Sequence, residues 1–345
     1  MLRDWDLTIG TGAFSVLRLG GAKPQYLAHV PRPTFLTRAA GGIYGVSEVG
    51  HGRVFRITGE AAPGSAPGAL TLTDVAGQLV GDGIGGAMVS SGGAHPCHIS
   101  ACPDGRWLYV SNYGDGVVRA IELDDDGGFG GAIDLTATGS GPHTARQTGP
   151  HAHFSAVVGK VLVIADLGAD CLRLHELDQG RPERRATIVP MPPGSGPRHF
   201  AALGGSLIVA GELDGSLTRV DTRSWEITAH VPAAAAPGAH LLSHVLVAGD
   251  LIIVGVRGAN TLSVLDGGLE LRQEVATVAW PRHFALARGP GATPGPVPGA
   301  GVVVAGERAG AIALHPLEEG GSGLGEMVAE LSVPEPMFIG AGEEF

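Results

Sequence analysis

Arginine, histidine and glutamate recur in this chain at fixed places of a repeated motif. Pro-Arg-His stands at 197–199 and again at 281–283, Pro-Cys-His at 96–98, and His-Ala-His at 151–153. After a short gap an apolar run follows, ending in a small polar cluster; the runs are 43–49, 108–112, 161–166, 207–212, 251–257 and 302–307. A guanidinium stays protonated, can hold a carboxylate or phosphate through paired N–H bonds, and can stabilise an oxyanion. Imidazole titrates near neutrality and a carboxylate beside arginine stays ionised, so either can act as a base. Brought together, such groups suit acyl-oxygen chemistry on a small anionic molecule.

Strands must bring them together. LYVSN, VLVIAD, LIVAG, LIIVGV and VVVAG are short, rich in Val, Ile and Leu, and bounded by Gly, Asp and Asn, the pattern of buried strands. A second run follows most of them, at 117–123, 171–177, 216–220, 261–265 and 311–317, a spacing that suits consecutive antiparallel strands. No segment carries a 3.6-residue apolar period of helical length. In an antiparallel hairpin the start of the first strand lies beside the end of the second. Arg198 and His199 are therefore expected beside Glu212, His98 beside Asn112, His153 beside Asp166, His244 beside Arg257, and His283 beside Glu307.

The motif recurs six times, and 7–12 reads as a seventh copy without its own first strand. From Leu7 to Val302 the copies are spaced by about 49 residues, within the range of propeller blades. The expected fold is all-β: a seven-bladed β-propeller of four-stranded antiparallel blades, one domain over 1–345. The N- and C-terminal strands (7–12 and the spare strand at 336–339) share a blade and close it. First strands line the channel of such a fold, so the motif edges should face one polar funnel. The Gly/Pro/Ala-rich stretches 61–68, 233–238 and 289–301 read as loops between strands.

Composition narrows the function. Net charge is −11, from 34 acidic and 23 basic residues, which disfavours a nucleic-acid or anionic-membrane surface yet leaves room for an anionic small molecule held by a few local arginines. The three cysteines, Cys97, Cys102 and Cys171, form no CxxC and imply neither a disulfide framework nor a zinc site. His151 and His153 have chelate spacing but no third ligand beside them, so no metal or cofactor is expected. GxSxG, P-loop and HExxH motifs are missing, which removes the enzyme classes built on them. The first residues, Met1 to Asp6, contain no apolar stretch, and no run approaches a membrane span, which points to the cytoplasm. A monomer or weak homodimer is expected.

HPCHISACPDGRWLYVSNYGDGVV (95–118), RQTGPHAHF (146–154), GSGPRHFA (194–201), GELD (211–214), VRG (256–258) and WPRHFAL (280–286) resemble the seven-bladed propeller lactonases. That family includes propeller-type 6-phosphogluconolactonases and carboxymuconate lactonising enzymes. The resemblance covers nearly the whole chain. It implies a catalytic set of His153, Arg198, Glu212 and Arg257; His98, Asn112, Arg146, His151, His199, Arg282, His283 and Glu307 are expected, from the motifs themselves, to bind substrate. Departures from the family pattern fall at Gly211, Ala259-Asn260 and Glu307. The expected activity is hydrolysis of a small anionic sugar-type lactone, with an arginine clamp and Glu212 or His153 as base. Lactone closure on an unsaturated acid needs the same clamp and base, so a cycloisomerase is the alternative. An inactive binding scaffold is the third reading; its flat surface would be aromatic and charged, whereas aromatics are only 5% here.

Overall fold

The structure, a computed structural model, describes residues 2, 5–20, 25–40, 42–57, 88–236, 240–289 and 299–342. Of the expected loops, 61–68, 237–238 and 290–298 lie outside these residues. The described chain is all-β, with helix confined to short 3-10 turns such as Glu319–Gly321. Seven sheets are present, the number of blades expected. Pro336–Ala341, Leu7–Thr11, Ser15–Leu19 and Gln25–His29 form one sheet in that order, so the closing blade combines C- and N-terminal strands as read from the sequence.

Six sheets have four strands. The one built on Ala152–Val158 has five, because the two-residue strand Arg181–Pro182 pairs with Cys171–Asp178 beside Thr187–Pro190. Ala152–Val158, Val161–Asp166, Cys171–Asp178 and Thr187–Pro190 make the expected four-stranded blade, and Arg181–Pro182 is an addition to it. A tight turn at Gln179-Gly180 folds Arg181–Pro182 back on the end of the long strand Cys171–Asp178 and pairs its last backbone groups locally.

By Cα clustering the chain divides into two compact units. One comprises Met1–Ile9, Leu19–Pro24 and Met191–Gly342; the other comprises Gly10–Arg18, Gln25–Pro190 and Glu343–Phe345. In each unit the core lies between the faces of neighbouring sheets. In the first, Ile253, Leu262, Val264, Phe284, Val302 and Val304 form one such layer and are essentially fully buried. In the second, Tyr44, Val46, Ile99, Leu108 and Val110 form another. The central strands show why: Leu251–Arg257 and Ala300–Gly306 are buried at every position, since both faces of each sheet are covered. Phe284 is 0% exposed, so Phe284→Ala should destabilise the fold by about 3–5 kcal/mol, read as a fall in the urea midpoint. A shift below about 1 kcal/mol would mean that this layer collapses around the gap.

The feature that positions the chemistry is a repeated β-bulge. The first strand of every sheet that has its own Pro-x-His or related start slips by one residue against its neighbour. Pro33 faces Ser47 but Phe35 faces Val46; Pro96 faces Asn112 but His98 faces Ser111; Ala152 faces Asp166 but Phe154 faces Ala165. In the other unit Pro197 faces Gly211 but His199 faces Ala210, and Pro281 faces Gly306 but His283 faces Ala305. The slip in Leu241–Ala248 falls between Leu242 and Val245. Thr34, Cys97, His153, Arg198 and Arg282 are thus extra residues without a facing partner, and a bulge re-aims such a side chain.

Candidate active site

The bulge sorts the motif histidines into two kinds. The residue after the bulge is Phe35, His98 or Phe154 in one unit, and His199 or His283 in the other. These rings stack from strand to strand: Phe35 on His98 (centroids 4.3 Å) and His98 on Phe154 (4.1 Å). In the other unit His244 stacks on His283 (4.2 Å) and His283 on Phe338 (4.7 Å), while His199 meets His244 edge-on at 5.1 Å. Their polar atoms are used within the stack. Ser155 N–H donates to His98 Nδ1 at 3.3 Å, Ile339 N–H donates to His283 Nδ1 at 3.2 Å, and the Nδ1 atoms of His199 and His244 are 2.8 Å apart. Burial pushes His244 down to about 3, with the Arg198 charge adding to the effect.

One expectation is corrected here. Motif pairing placed each histidine opposite the last residue of the next strand; instead the residue before the bulge takes that place, so Pro96 faces Asn112 and Ala152 faces Asp166. His98, His199 and His283 are buried rings of these stacks and follow a bulge, half-buried His244 joins the stack from within the slip between Leu242 and Val245, and His153 sits at the bulge of its own strand. One extra residue per first strand is the physical reason, since it shifts the strand's register by one.

In the first unit, Arg198, Glu212 and Arg257 form a buried ion triad. Glu212 Oε2 lies 2.9 Å from Arg198 Nε and 2.8 Å from Arg257 Nη2, and all three side chains are below a tenth exposed. Arg198 comes from the bulge of its strand, Glu212 from the residue just after Ser206–Gly211, and Arg257 from the end of Leu251–Arg257. Both guanidiniums are fixed by backbone: Arg198 donates to Ser243 O, and Arg257 donates to Leu242 O at 2.9 Å. Two cations on one carboxylate leave the group a net positive charge.

An Arg–Glu pair of the same origin recurs two sheets on, more openly. Arg282, also a bulge residue, meets Glu307 at 3.3 Å, with side chains 18% and 28% exposed. Trp280 sits beside both pairs. Its ring centroid is 5.6 Å from Arg257 Cζ and its carbonyl accepts from Glu307 N–H at 3.1 Å. The departures from the family pattern have local causes. A Cβ at Gly211 would lie 2.5 Å from Asp214 Oδ1 and 2.9 Å from Ser216 Oγ, so no larger residue fits without movement there. Asn260, in the left-handed region at φ 59°, accepts the Trp280 N–H at 2.8 Å.

In the second unit, His153 is buried with Cys97 Sγ 3.8 Å from its Nδ1 and the Tyr113 ring edge-on at 5.6 Å. Tyr113 gathers the neighbours: its ring stacks on His151 at 4.6 Å, its carbonyl lies 2.6 Å from His151 Nδ1, and its hydroxyl accepts from Arg146 Nη2 at 3.1 Å. Gly168 is required at this point, because a Cβ there would stand 1.9 Å from Gly149 O and 2.6 Å from the His151 ring. Asn112 is buried and its amide donates to Ser91 O and Val117 O, tying a loop. No group of three or more His, Cys, Asp or Glu is placed to hold a metal ion among the described residues.

Tyr113 and Trp280 were not picked out from the sequence. Both immediately flank positions that were: Tyr113 follows Asn112, and Trp280 begins WPRH. The recurrence of Phe or His at one place of the motif was equally readable, at 35, 98, 154, 199, 244, 283 and 338.

Comparison with known proteins agrees with the fold and the motifs. The 6-phosphogluconolactonase of Formosa agariphila is 36% identical over 121 residues, 33% of this chain and 34% of that protein. The chain thus spans about a third of the length of the curated relatives it matches. Among solved structures, the Pseudomonas aeruginosa periplasmic gluconolactonase superposes with TM-score 0.77 at 23% identity, covering 97% of this chain and 98% of that one. A Lactobacillus plantarum protein superposes with TM-score 0.78 at 20% identity, covering 97% and 98%. The family model described as "Lactonase, 7-bladed beta-propeller" matches residues 21–340, and the chain belongs to that family.

Proposed function

We propose that the protein hydrolyses a small sugar-type lactone, with the Arg198–Glu212–Arg257 triad at the centre of its site. The observation that carries this reading is that triad: two buried, backbone-fixed guanidiniums sharing one carboxylate in a member of a lactonase family. Water attacks the lactone carbonyl carbon, the ring C–O bond breaks, and the ring oxygen takes a proton to leave a hydroxy acid. Negative charge develops on the carbonyl oxygen, and the net positive triad is prearranged to stabilise it. Glu212 holds both guanidiniums in place and is the candidate for the base that takes the water proton. The named activities of the relatives support a sugar lactone as the substrate class.

The test is incubation of the whole chain with gluconolactone, its 6-phosphate and an unsaturated dicarboxylate, following acid release and product mass. Hydrolysis adds one water to a lactone at a rate well above the spontaneous one. A new ring of unchanged mass formed from the dicarboxylate would instead identify a lactonising enzyme. No turnover of any of the three would remove the proposal.

A further inference from the structure

Arg308 has no assigned role, yet it is the most unusual cation of the first unit. Arg198 and Arg257 are neutralised in part by Glu212, and Arg282 by Glu307. Arg308 is exposed and makes no ion pair among the described residues. Its guanidinium carbon nevertheless lies only 3.3 Å from the Trp280 ring centroid. A guanidinium at that distance lies on the face of the ring, and its N–H edge remains available in its own plane. The indole therefore acts as a platform that orders an otherwise flexible side chain.

The platform itself is held unusually firmly. Trp280 is in the left-handed region at φ 61°, which a bulky residue rarely occupies. Asn260, left-handed at φ 59°, accepts its N–H, and Glu307 N–H donates to its carbonyl. Asn260 is in turn fixed by its N–H to Val256 O at 3.1 Å and by Thr277 N–H to its carbonyl at 2.9 Å. Strained backbone persists only where its surroundings over-determine it. Here they fix one indole beside Arg257 on one side of the network and Arg308 on the other.

We infer that Arg308, ordered by Trp280, is a specificity-determining residue that receives a second anionic group of the ligand, a phosphate ester remote from the lactone carbonyl. This rests on the lactonase reading above and adds to it a discrimination between phosphorylated and unphosphorylated sugar lactones. Trp280 is a positioning residue for that guanidinium. A planar N–H fork suits phosphate, and Arg308 is the cation in this cluster whose charge no neighbouring carboxylate takes up.

Calorimetric titration with the hydroxy-acid products decides it, because binding is read whether or not turnover occurs. The unmodified protein should bind 6-phosphogluconate at least tenfold more tightly than gluconate. Arg308→Gln should erase that preference while leaving gluconate affinity within about twofold, and Arg308→Lys should keep part of it. With the lactones, Arg308→Gln should lower kcat/KM about 10–100-fold for the 6-phosphate, mainly through KM, and leave gluconolactone unchanged. Trp280→Leu should lose the phosphate preference and Trp280→Phe should retain it, since one offers no ring face and the other does. Absence of a preference in the unmodified protein, or equal losses on both ligands in Arg308→Gln, would overturn the inference. Failure to turn over either lactone would instead overturn the activity, leaving the titration to judge Arg308.

Discussion

Glu212→Gln should lower lactone turnover by about 10²-fold or more and destabilise the fold by about 3–5 kcal/mol, the largest paired effect expected from one substitution in this protein. Both effects have one cause. Glu212 Oε2 is the carboxylate oxygen shared by two buried guanidiniums at 2.9 and 2.8 Å, so the neutral amide leaves two cations away from water without their counter-charge. Those cations then repel one another, and the arrangement aimed at the developing oxyanion loosens. Glu212→Asp keeps the charge but shortens the reach, so it should recover more stability than rate. Assays at a temperature where circular dichroism shows each variant folded separate lost chemistry from lost structure. Near-normal turnover in folded Glu212→Gln would leave the triad a structural role only.

The second large effect is on acid stability, and His244 dominates it. Its ring is packed between His199, His283 and Phe284, and its pKa is lowered to about 3. The folded state therefore keeps it neutral, while an unfolded chain protonates it near its ordinary value of about 6.5. Between those two values the unfolded state binds more protons, so stability is fully present above pH about 6.5 and falls as the pH drops, by about 1.4 kcal/mol per unit for this group. His175 and His315 are lowered by burial too and act in the same direction. Phe occupies the matching place in three other first strands, at Phe35, Phe154 and Phe338, so His244→Phe suits the stack. The variant should lose about 2–3 kcal/mol less than the unmodified protein between pH 7 and pH 4.5, measured as urea midpoints at each pH. Equal losses in the two proteins would show that His244 is not the group being protonated.

Read from the sequence alone, the chain yielded its repeat, its strand order and the ends at which its polar residues gather. Those properties are local: an alternation of apolar runs and turn residues is written in consecutive positions, and a period of about 49 residues multiplies the signal. Arg198 beside Glu212 followed from hairpin geometry, and the buried ion pair is there. Arg257, paired on paper with His244, joins Glu212 instead, from the neighbouring sheet. Contacts between sheets depend on how one twisted sheet packs on the next, which no hairpin rule contains. The places of the histidines depend on a subtler feature. A one-residue bulge in each first strand turns the residue after it into a ring stack and lifts the residue within it out of the ladder, so adjacent positions of one motif acquire opposite roles. The amino-acid sequence therefore determined which residue types gather and on which strands. Tertiary structure decided which of them are buried scaffold and which meet a charge partner, because register and sheet-to-sheet packing are set by the whole core rather than by any one copy of the motif.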